Sequence, residues 1–276
     1  MPTIKAWLAR ASQELKDLNI ASAQLDAEII LSHTIKKPRT YLHAHPDVEL
    51  ESKMQEIADT RLLLRTDRVP IAYIIGHKEF YGRRFKVTTS TLIPRPETED
   101  IISTVKSLVP KNLSLFNDSF RIVDVGTGSG CIGITLKLEL PDTEVTLLDI
   151  SPHALKVAAS NASQLGADVQ SIKSDLLQNY PFRSNIIVAN LPYVDNSWKR
   201  SPETDHEPEI ALFASDGGLA LIKKLIIQAS SQVVPNGYII LEADPSQHAE
   251  IVQIGIKHGF HLYQPISGYI ITLQKK

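Results

Sequence analysis

The stretch IIVANLPYV, residues 186–194, begins as a buried apolar strand and ends in residues that can do chemistry. Asn190 offers a side-chain carbonyl oxygen, and Leu191 offers its backbone carbonyl just before Pro192. Tyr193 adds a flat aromatic face. Two hydrogen-bond acceptors and one aromatic ring can together hold a planar NH2 group in one orientation. Because the lone pair of such a nitrogen is delocalised, orienting it toward an electrophile favours direct transfer.

A glycine-rich turn, VDVGTGSGC at residues 123–131, predicts which electrophile is bound. Glycines let the backbone turn tightly and approach a ligand that any side chain would block. Cys131 stands where a dinucleotide fingerprint has its third glycine, so the spacing favours S-adenosylmethionine over a dinucleotide. The predicted cofactor loop comprises Gly126, Thr127, Gly128, Ser129 and Gly130.

Two acidic residues follow the next predicted strands. Asp149 ends EVTLLDI and can accept both ribose hydroxyls of the cofactor, a role we favour over capping the helix that starts near Pro152. Asp175 can receive the adenine amino group, with Leu176 covering the ring. A turn aspartate followed by a core leucine remains an alternative for that pair.

Strand-like and helical segments alternate after Pro96, which predicts an α/β fold with a parallel sheet and helices on both faces. Ligands of such sheets bind beyond the carboxyl ends of the strands, where the strand order reverses. The predicted strands are residues 120–125, 144–150, 169–173, 184–190 and 237–244.

The N-terminal part has a different pattern, with apolar residues at helical spacing from Thr3 to about Asp67. We therefore predict a small helical bundle over residues 1–70, a β-hairpin linker over 71–91 and the catalytic domain over 92–276. The segment from Ile71 to Pro96 has a local charge of +4, typical of either a solvated hairpin face or a partner-facing patch. Its charged residues are Lys78, Arg83, Arg84, Lys86 and Arg95 against Glu79.

Composition limits the possible classes of protein. The 276 residues are 43% hydrophobic, enough for a substantial core, and no apolar run approaches the roughly 18 residues of a membrane span. A net charge of -2 argues against a protein that coats nucleic acid. The single cysteine, Cys131, excludes internal disulfides and a multi-cysteine zinc site, and we expect no metal. The charged start MPTIKAWLARASQELKD lacks a signal-peptide core, so we expect a cytoplasmic protein.

The sequence resembles the peptide-chain release factor glutamine methyltransferases, often called HemK proteins, over nearly its whole length. The resemblance rests on SAQLDAEIIL in the bundle, RVPIAYIIGHKEFYGRRFKV at the junction, LIPRPETE, DVGTGSG, NLPY and EPEIALFASDGGLA. It implies a Rossmann-like, class I methyltransferase domain with a seven-stranded sheet whose last strand, GYIITLQ, is antiparallel.

The same resemblance implies the reaction and the partner. Members of this family methylate the side-chain amide nitrogen of the glutamine in the Gly-Gly-Gln loop of release factors, the proteins of translation termination. Residues 126–130, Asp149, Leu176 and Asn190 would contact S-adenosylmethionine, and residues 190–193 would contact the glutamine. The family motif is NPPY, so Leu191 replaces a proline, but it keeps the backbone carbonyl. Leu176 also stands where relatives can carry an aromatic residue.

Three alternatives remain at the level of sequence. A ribosomal-protein glutamine methyltransferase would use the same amide chemistry. A DNA or RNA adenine amino-methyltransferase would hold a flipped base in the same geometry, although the near-neutral charge argues against direct nucleic acid binding. A binder that has lost its chemistry at Leu191 is disfavoured by the intact glycines, Asp149, Asn190 and Tyr193. We expect a monomer with no membrane association.

Overall fold

The computed structural model describes residues 1–111, 113, 119–195, 197–266 and 268–276. They form two compact units. The first unit contains Met1–His77 together with Arg200–His206, and the second contains Lys78–Lys199 and Glu207–Lys276. The first unit is therefore discontinuous in sequence, because a short segment from the second half of the chain belongs to it.

The first unit is a helical bundle with an apolar core. Thr3 caps its first helix by accepting a hydrogen bond from the Ala6 N–H at 3.2 Å. Trp7 is fully buried, and its indole N–H donates to Asp59 at 2.8 Å. The helices are α1 (Ile4–Asp17), α2 (Ala23–Ile35), α3 (Arg39–Ala44), α4 (Ser52–Thr66) and α5 (Ile71–Ile75).

A buried charge cluster attaches the segment Arg200–His206 to this bundle. The Arg65 Nε donates to Asp26 at 2.7 Å, and its Nη2 donates to Glu203 at 3.0 Å. The side chains of Arg65 and Asp26 are both almost fully buried. Because a buried charge without its partner is strongly destabilising, the arginine makes Glu203 part of the folded bundle.

The hairpin that follows is shorter than the linker predicted over residues 71–91. Its strands are β1 (His77–Phe80) and β2 (Arg83–Lys86), joined by Tyr81 and Gly82 at positive φ, as a two-residue hairpin turn requires. The first five residues of the predicted linker instead form α5. Pro70 precedes that helix, and Gly76 ends it in the left-handed conformation.

The second unit confirms the predicted class I methyltransferase fold. Its seven-stranded sheet has the order β5-β4-β3-β6-β7-β9-β8, and the strand order reverses between β3 and β6. Strands β3 to β7 run parallel, whereas β9 is antiparallel to β7, as the resemblance implies. The elements are α6 (Glu99–Leu108), β3 (Arg121–Val125), α7 (Cys131–Glu139), β4 (Glu144–Asp149), α8 (Pro152–Leu165), β5 (Gln170–Lys173), β6 (Ser184–Ala189), α9 (Ala220–Gln232), β7 (Val233–Glu242), α10 (His248–Lys257), β8 (Phe260–Leu262) and β9 (Ile270–Lys275).

Both faces of this sheet are buried, which explains the continuous apolar run in β6. Ile187 packs in the core on one face of the sheet, and Ile186 and Val188 pack in the core on the other. A strand covered on both sides needs apolar residues at every position rather than at alternate ones. None of the described helices is long and apolar enough to cross a membrane.

Candidate active site

A cavity lies at the carboxyl ends of β3 to β6, where the strand order reverses. Its wall also includes Ser90, Thr91, Leu92, Pro94, Arg95, Thr98, Ile210 and Ala211. Two predicted residues within the described chain, Gly130 and Tyr193, lie outside this lining. The predicted residues that line it are Gly126, Thr127, Gly128, Ser129, Asp149, Asp175, Leu176, Asn190, Leu191 and Pro192.

The glycine loop is held against the end of β4 and packs on the exit of β6. The N–H groups of Gly126 and Thr127 both donate to the Leu148 carbonyl, at 2.8 and 2.9 Å. Gly126 has φ +74°, and a Cβ there would lie only 2.8 Å from the Leu191 Cδ2. Leu191 therefore fills the space that a side chain at position 126 would need.

Gly130 serves packing rather than the cavity wall. Its φ is +82°, and a Cβ there would lie 2.5 Å from the Ile134 Cδ1 and 3.2 Å from the Ala158 Cβ. The third glycine of the loop thus allows α7 and α8 to pack closely.

Asp124 is a site residue that the sequence interpretation missed. Its carboxylate is fully buried directly before the loop, and its Oδ2 accepts from the Thr127 hydroxyl at 2.6 Å and from the Gly133 N–H at 2.9 Å. Burial raises the pKa of this carboxyl from 3.8 to about 6, although the two hydrogen bonds oppose the shift. The sequence feature that could have identified Asp124 is an acidic residue inside an otherwise apolar strand.

Asp149 is well placed for the ribose role. Its Oδ2 accepts from the Gly128 N–H at 2.9 Å, and its Oδ1 accepts from the Ser151 N–H at 2.8 Å. The N-cap of α8 is Ser151, whose hydroxyl accepts from Ala154, so capping does not occupy the aspartate. Burial raises the pKa of Asp149, and the backbone hydrogen bonds oppose that rise. Each carboxylate oxygen keeps a further lone pair for a hydroxyl in the cavity.

Asp175 and Leu176 follow β5 and have different environments. The Asp175 carboxylate forms an ion pair with Lys224 at 2.6 Å. Leu176 is buried, lines the cavity and has φ +53°. A leucine rarely adopts this conformation, which costs on the order of 1 to 2 kcal/mol, so the surrounding packing must enforce it.

The exit of β6 is fixed by side chains from distant parts of the sequence. The Asn190 Nδ2 donates to the Thr98 hydroxyl at 3.1 Å, no described residue donates to its Oδ1, and Asn190 lines the cavity. The Tyr193 hydroxyl donates to the Glu242 Oε1 at 3.1 Å, and burial together with this carboxylate raises the pKa of the tyrosine. The Gln247 amide donates to the Tyr193 carbonyl at 2.8 Å.

A buried glutamate connects two of the family-like segments. The Glu207 carboxylate accepts from the Ile93 N–H at 3.1 Å and forms an ion pair with Arg95. Glu207 is almost fully buried, and Ile210, three residues further on, lines the cavity. This contact places LIPRPETE and EPEIALF on the same side of the cavity. Glu207 lies within one of the segments that carry the family resemblance, but its role was not predicted from sequence.

The fold and the cavity together define an S-adenosylmethionine-dependent methyltransferase. Asp149, the glycine-lined backbone and the apolar wall at Leu176 match the hydroxyls, the close backbone contacts and the adenine ring of that cofactor. The chain also matches a family model described as "PrmC N-terminal domain" over residues 6–76, and one described as "Methyltransferase small domain" over residues 106–206.

Relatives identify the family within that class. The chain is 38% identical to a release factor glutamine methyltransferase of Koribacter versatilis, over 88% of this chain and 89% of the relative. It is 35% identical to a bifunctional methyltransferase of Rickettsia felis, over 97% of this chain but only 56% of that longer relative. The chain belongs to the release factor glutamine methyltransferase family.

A solved structure supports the fold alone. The hMettl16 catalytic domain in complex with MAT2A 3'UTR hairpin 1 superposes with a TM-score of 0.53 at 16% identity, over 100% of this chain and 91% of that chain.

Replacing Asp149 should weaken cofactor binding. We expect Asp149→Ala to lose about 2 to 4 kcal/mol of S-adenosylmethionine binding free energy, because hydrogen bonds to a charged acceptor are lost. Isothermal calorimetry measures the affinity, and a thermal melt confirms folding. The exposed Asp142→Ala variant is the control. An unchanged affinity in folded Asp149→Ala would contradict the assignment.

Asp124 should make stability depend on pH in a defined direction. Its folded pKa lies above that of the unfolded chain, so protonation stabilises the fold and the contribution disappears as pH rises through about 6. We expect the free energy of unfolding of wild type, minus that of Asp124→Asn, to fall by about 2 kcal/mol from pH 4 to pH 7. Urea titrations across this range measure it, with Asp142→Asn as the control for losing one acid. A pH-independent difference would refute the shift.

Proposed function

We propose that this protein transfers a methyl group from S-adenosylmethionine to the side-chain amide nitrogen of the glutamine in the Gly-Gly-Gln loop of peptide-chain release factors. The observation that carries the proposal is the orientation of the Asn190 amide. Its Nδ2 is held by Thr98, and its carbonyl oxygen is left for a ligand next to the glycine loop. Family membership supports the choice of a glutamine amide as that ligand.

The residues of the site have one main task, which is to orient a poor nucleophile. Asn190 Oδ1 and the Leu191 carbonyl accept the two N–H bonds of the glutamine amide, and the lone pair then points toward the cofactor loop. S-adenosylmethionine supplies an electrophilic methyl group when bound. As the nitrogen gains positive charge, both accepting oxygens bind its protons more strongly, which lowers the barrier. The surplus proton then leaves to water, so no basic side chain is required.

Pro192 and Tyr193 complete the proposed glutamine site. Pro192 lines the cavity and restricts Leu191 to an extended backbone, which presents its carbonyl. Tyr193 lies just outside the cavity lining, where its hydroxyl donates to Glu242 and its backbone carbonyl accepts from Gln247, and we assign its ring as an aromatic face for the planar amide. On the cofactor side we assign Gly126, Thr127, Gly128, Ser129, Asp149, Asp175 and Leu176, while Gly130 supports the loop through its packing on α7 and α8.

We further propose that the helical bundle recognises the body of the release factor. This unit contains no residue of the cavity lining, so we assign it no part in the chemical step. Methylation of a translation factor fits a monomeric protein of the cytoplasm that does not bind nucleic acid directly, and the net charge of -2 is consistent with this.

The central prediction concerns Asn190 and the release factor glutamine. We expect purified protein to label a release factor from radioactive S-adenosylmethionine, and to leave a factor with the loop glutamine changed to alanine unlabelled. Asn190→Ala should lower kcat by about 10² to 10³, the usual loss for one preorganised transition-state hydrogen bond. If Asn190→Ala changed only KM, the orienting role would be refuted.

Restoring the family proline at position 191 should have a small effect. Leu191→Pro keeps the backbone carbonyl but removes the contact of Leu191 with Gly126. We expect kcat/KM for release factor to change by less than about tenfold, or roughly 1.4 kcal/mol, in either direction. A gain of a hundredfold over an inactive wild type would show that the carbonyl is insufficient.

The role of the bundle can be separated from catalysis by comparing two substrates. A protein starting at Lys78 should methylate a short Gly-Gly-Gln peptide with nearly normal kcat/KM but intact release factor at least about tenfold less efficiently. Calorimetry with S-adenosylmethionine shows whether the shortened protein is folded. Equal losses for both substrates in a protein that binds the cofactor normally would remove the recognition role.

A further inference from the structure

Glu242 is a buried acid at the end of β7, next to the exit of β6, that the proposed reaction does not use. It is 3% exposed. The Tyr193 hydroxyl donates to its Oε1, while Oε2 is buried and has no hydrogen bond of standard geometry from any described residue. A buried carboxylate with unused acceptor capacity attracts whatever donors lie near it.

Two of those nearby groups belong to the amide-orienting part of the site. Asn190 and Glu242 directly follow Ala189 and Leu241, which are partners in the pairing of β6 with β7, and the Asn190 Nδ2 donates to the Thr98 hydroxyl. Burial raises the pKa of Glu242, and the side chains of Thr98, Tyr193 and Asn190 oppose that rise. An ionised carboxylate accepts hydrogen bonds and cannot donate them. The NH2 end of Asn190 and the hydroxyl hydrogen of Thr98 are therefore drawn toward Glu242, and the Asn190 oxygen is turned away from it.

This arrangement addresses a weakness of asparagine as a catalytic acceptor. The two ends of its amide have nearly the same shape, so an isolated asparagine can present NH2 to the cavity as easily as oxygen. An outward NH2 group would repel the N–H bonds of a substrate amide. We propose that Glu242 is a positioning residue that fixes the Asn190 amide with its oxygen toward the substrate, both directly and through Thr98. The inference rests on the proposed methylation of a glutamine amide.

The alternative is that Glu242 acts only by anchoring Tyr193. The two roles differ in which neighbour transmits the effect. If Glu242 positions Asn190, replacing Glu242 should lower kcat whether or not Tyr193 keeps its hydroxyl. If Glu242 only anchors Tyr193, replacing it should have no effect in Tyr193→Phe, because that variant has already lost the hydroxyl contact.

The main experiment exchanges the carboxylate of Glu242 and the amide of Asn190 between the two positions. Glu242→Gln keeps the shape but places an NH2 group where only acceptors stood, so kcat should fall about tenfold or more with little change in S-adenosylmethionine affinity. Asn190→Asp should also be impaired, because two carboxylates would then face each other. In the double variant Asn190→Asp, Glu242→Gln, the acceptor and donor have changed places and an oxygen still faces the substrate. Its kcat should exceed that of Asn190→Asp by at least about tenfold.

Two further variants keep the inference testable if the exchange disturbs folding. Thr98→Val leaves β7 intact and removes one link to the Asn190 amide, so it should lower kcat with retained cofactor affinity. In Tyr193→Phe, the Glu242→Gln change should keep its full effect. A Glu242→Gln kcat within about twofold of wild type, a loss confined to cofactor affinity, or a double variant no better than Asn190→Asp would overturn the proposal.

A spectroscopic measurement separates this inference from the proposed function. In protein labelled with nitrogen-15, the Asn190 side-chain NH2 signals are those that disappear in Asn190→Asp. We expect them to be protected from solvent exchange in wild type and to lose that protection in Glu242→Gln and Thr98→Val. If wild type fails to methylate release factor, the proposed function falls, and this signal still decides the orientation. Unprotected signals in wild type would refute the positioning role.

Discussion

The pairing of β3 with β6 is the constraint on which the site depends. These strands are neighbours although β4 and β5 lie between them in sequence, so the chain leaves their carboxyl ends in opposite directions and opens a cavity. The glycine loop follows one strand and NLPY follows the other. The closeness of Gly126 to Leu191 results from that adjacency, since each residue lies just beyond the paired strand ends Val125 and Ala189. Cofactor loop and substrate loop are thus positioned by one set of backbone hydrogen bonds.

Local sequence predicted the five parallel strands and most of the cavity wall, because strand ends in a parallel sheet converge on one edge. The antiparallel β9 was implied only by the family resemblance, and β8, α6 and α10 were not predicted. Local sequence also did not predict α5, where Pro70 and Gly76 outweigh the strand-like residues between them. It also missed Asp124, Glu207 and Glu242. Each of the last two acts on partners far away in the chain, such as Tyr193, which is 49 residues from Glu242. No periodicity or spacing can reveal such a contact before the fold brings the residues together.

Those three missed residues share a physical character. Each is a buried acid that accepts hydrogen bonds from a loop of the cavity: Asp124 from the glycine loop, Glu207 from the segment containing Ile93, and Glu242 from Tyr193. Burying a carboxylate is costly, and burial raises the pKa of both Asp124 and Glu242. The free-energy cost of burying each carboxylate is offset by the hydrogen bonds that it accepts from the cavity loop. The loops are therefore held by strong, directional contacts, and the apolar core supplies the rigid support beneath them.

The discontinuity of the helical bundle has a consequence for how the protein is made. Arg65 meets Glu203 across 138 residues of sequence, and four of the seven strands of the sheet are encoded between them. At about 5 to 20 residues per second, a ribosome needs on the order of 7 to 28 seconds to synthesise that interval. During this time Arg65 can pair with Asp26 but not with Glu203, so the bundle lacks its last segment. Although the bundle comes first in sequence, its final assembly is timed by the synthesis of the catalytic half.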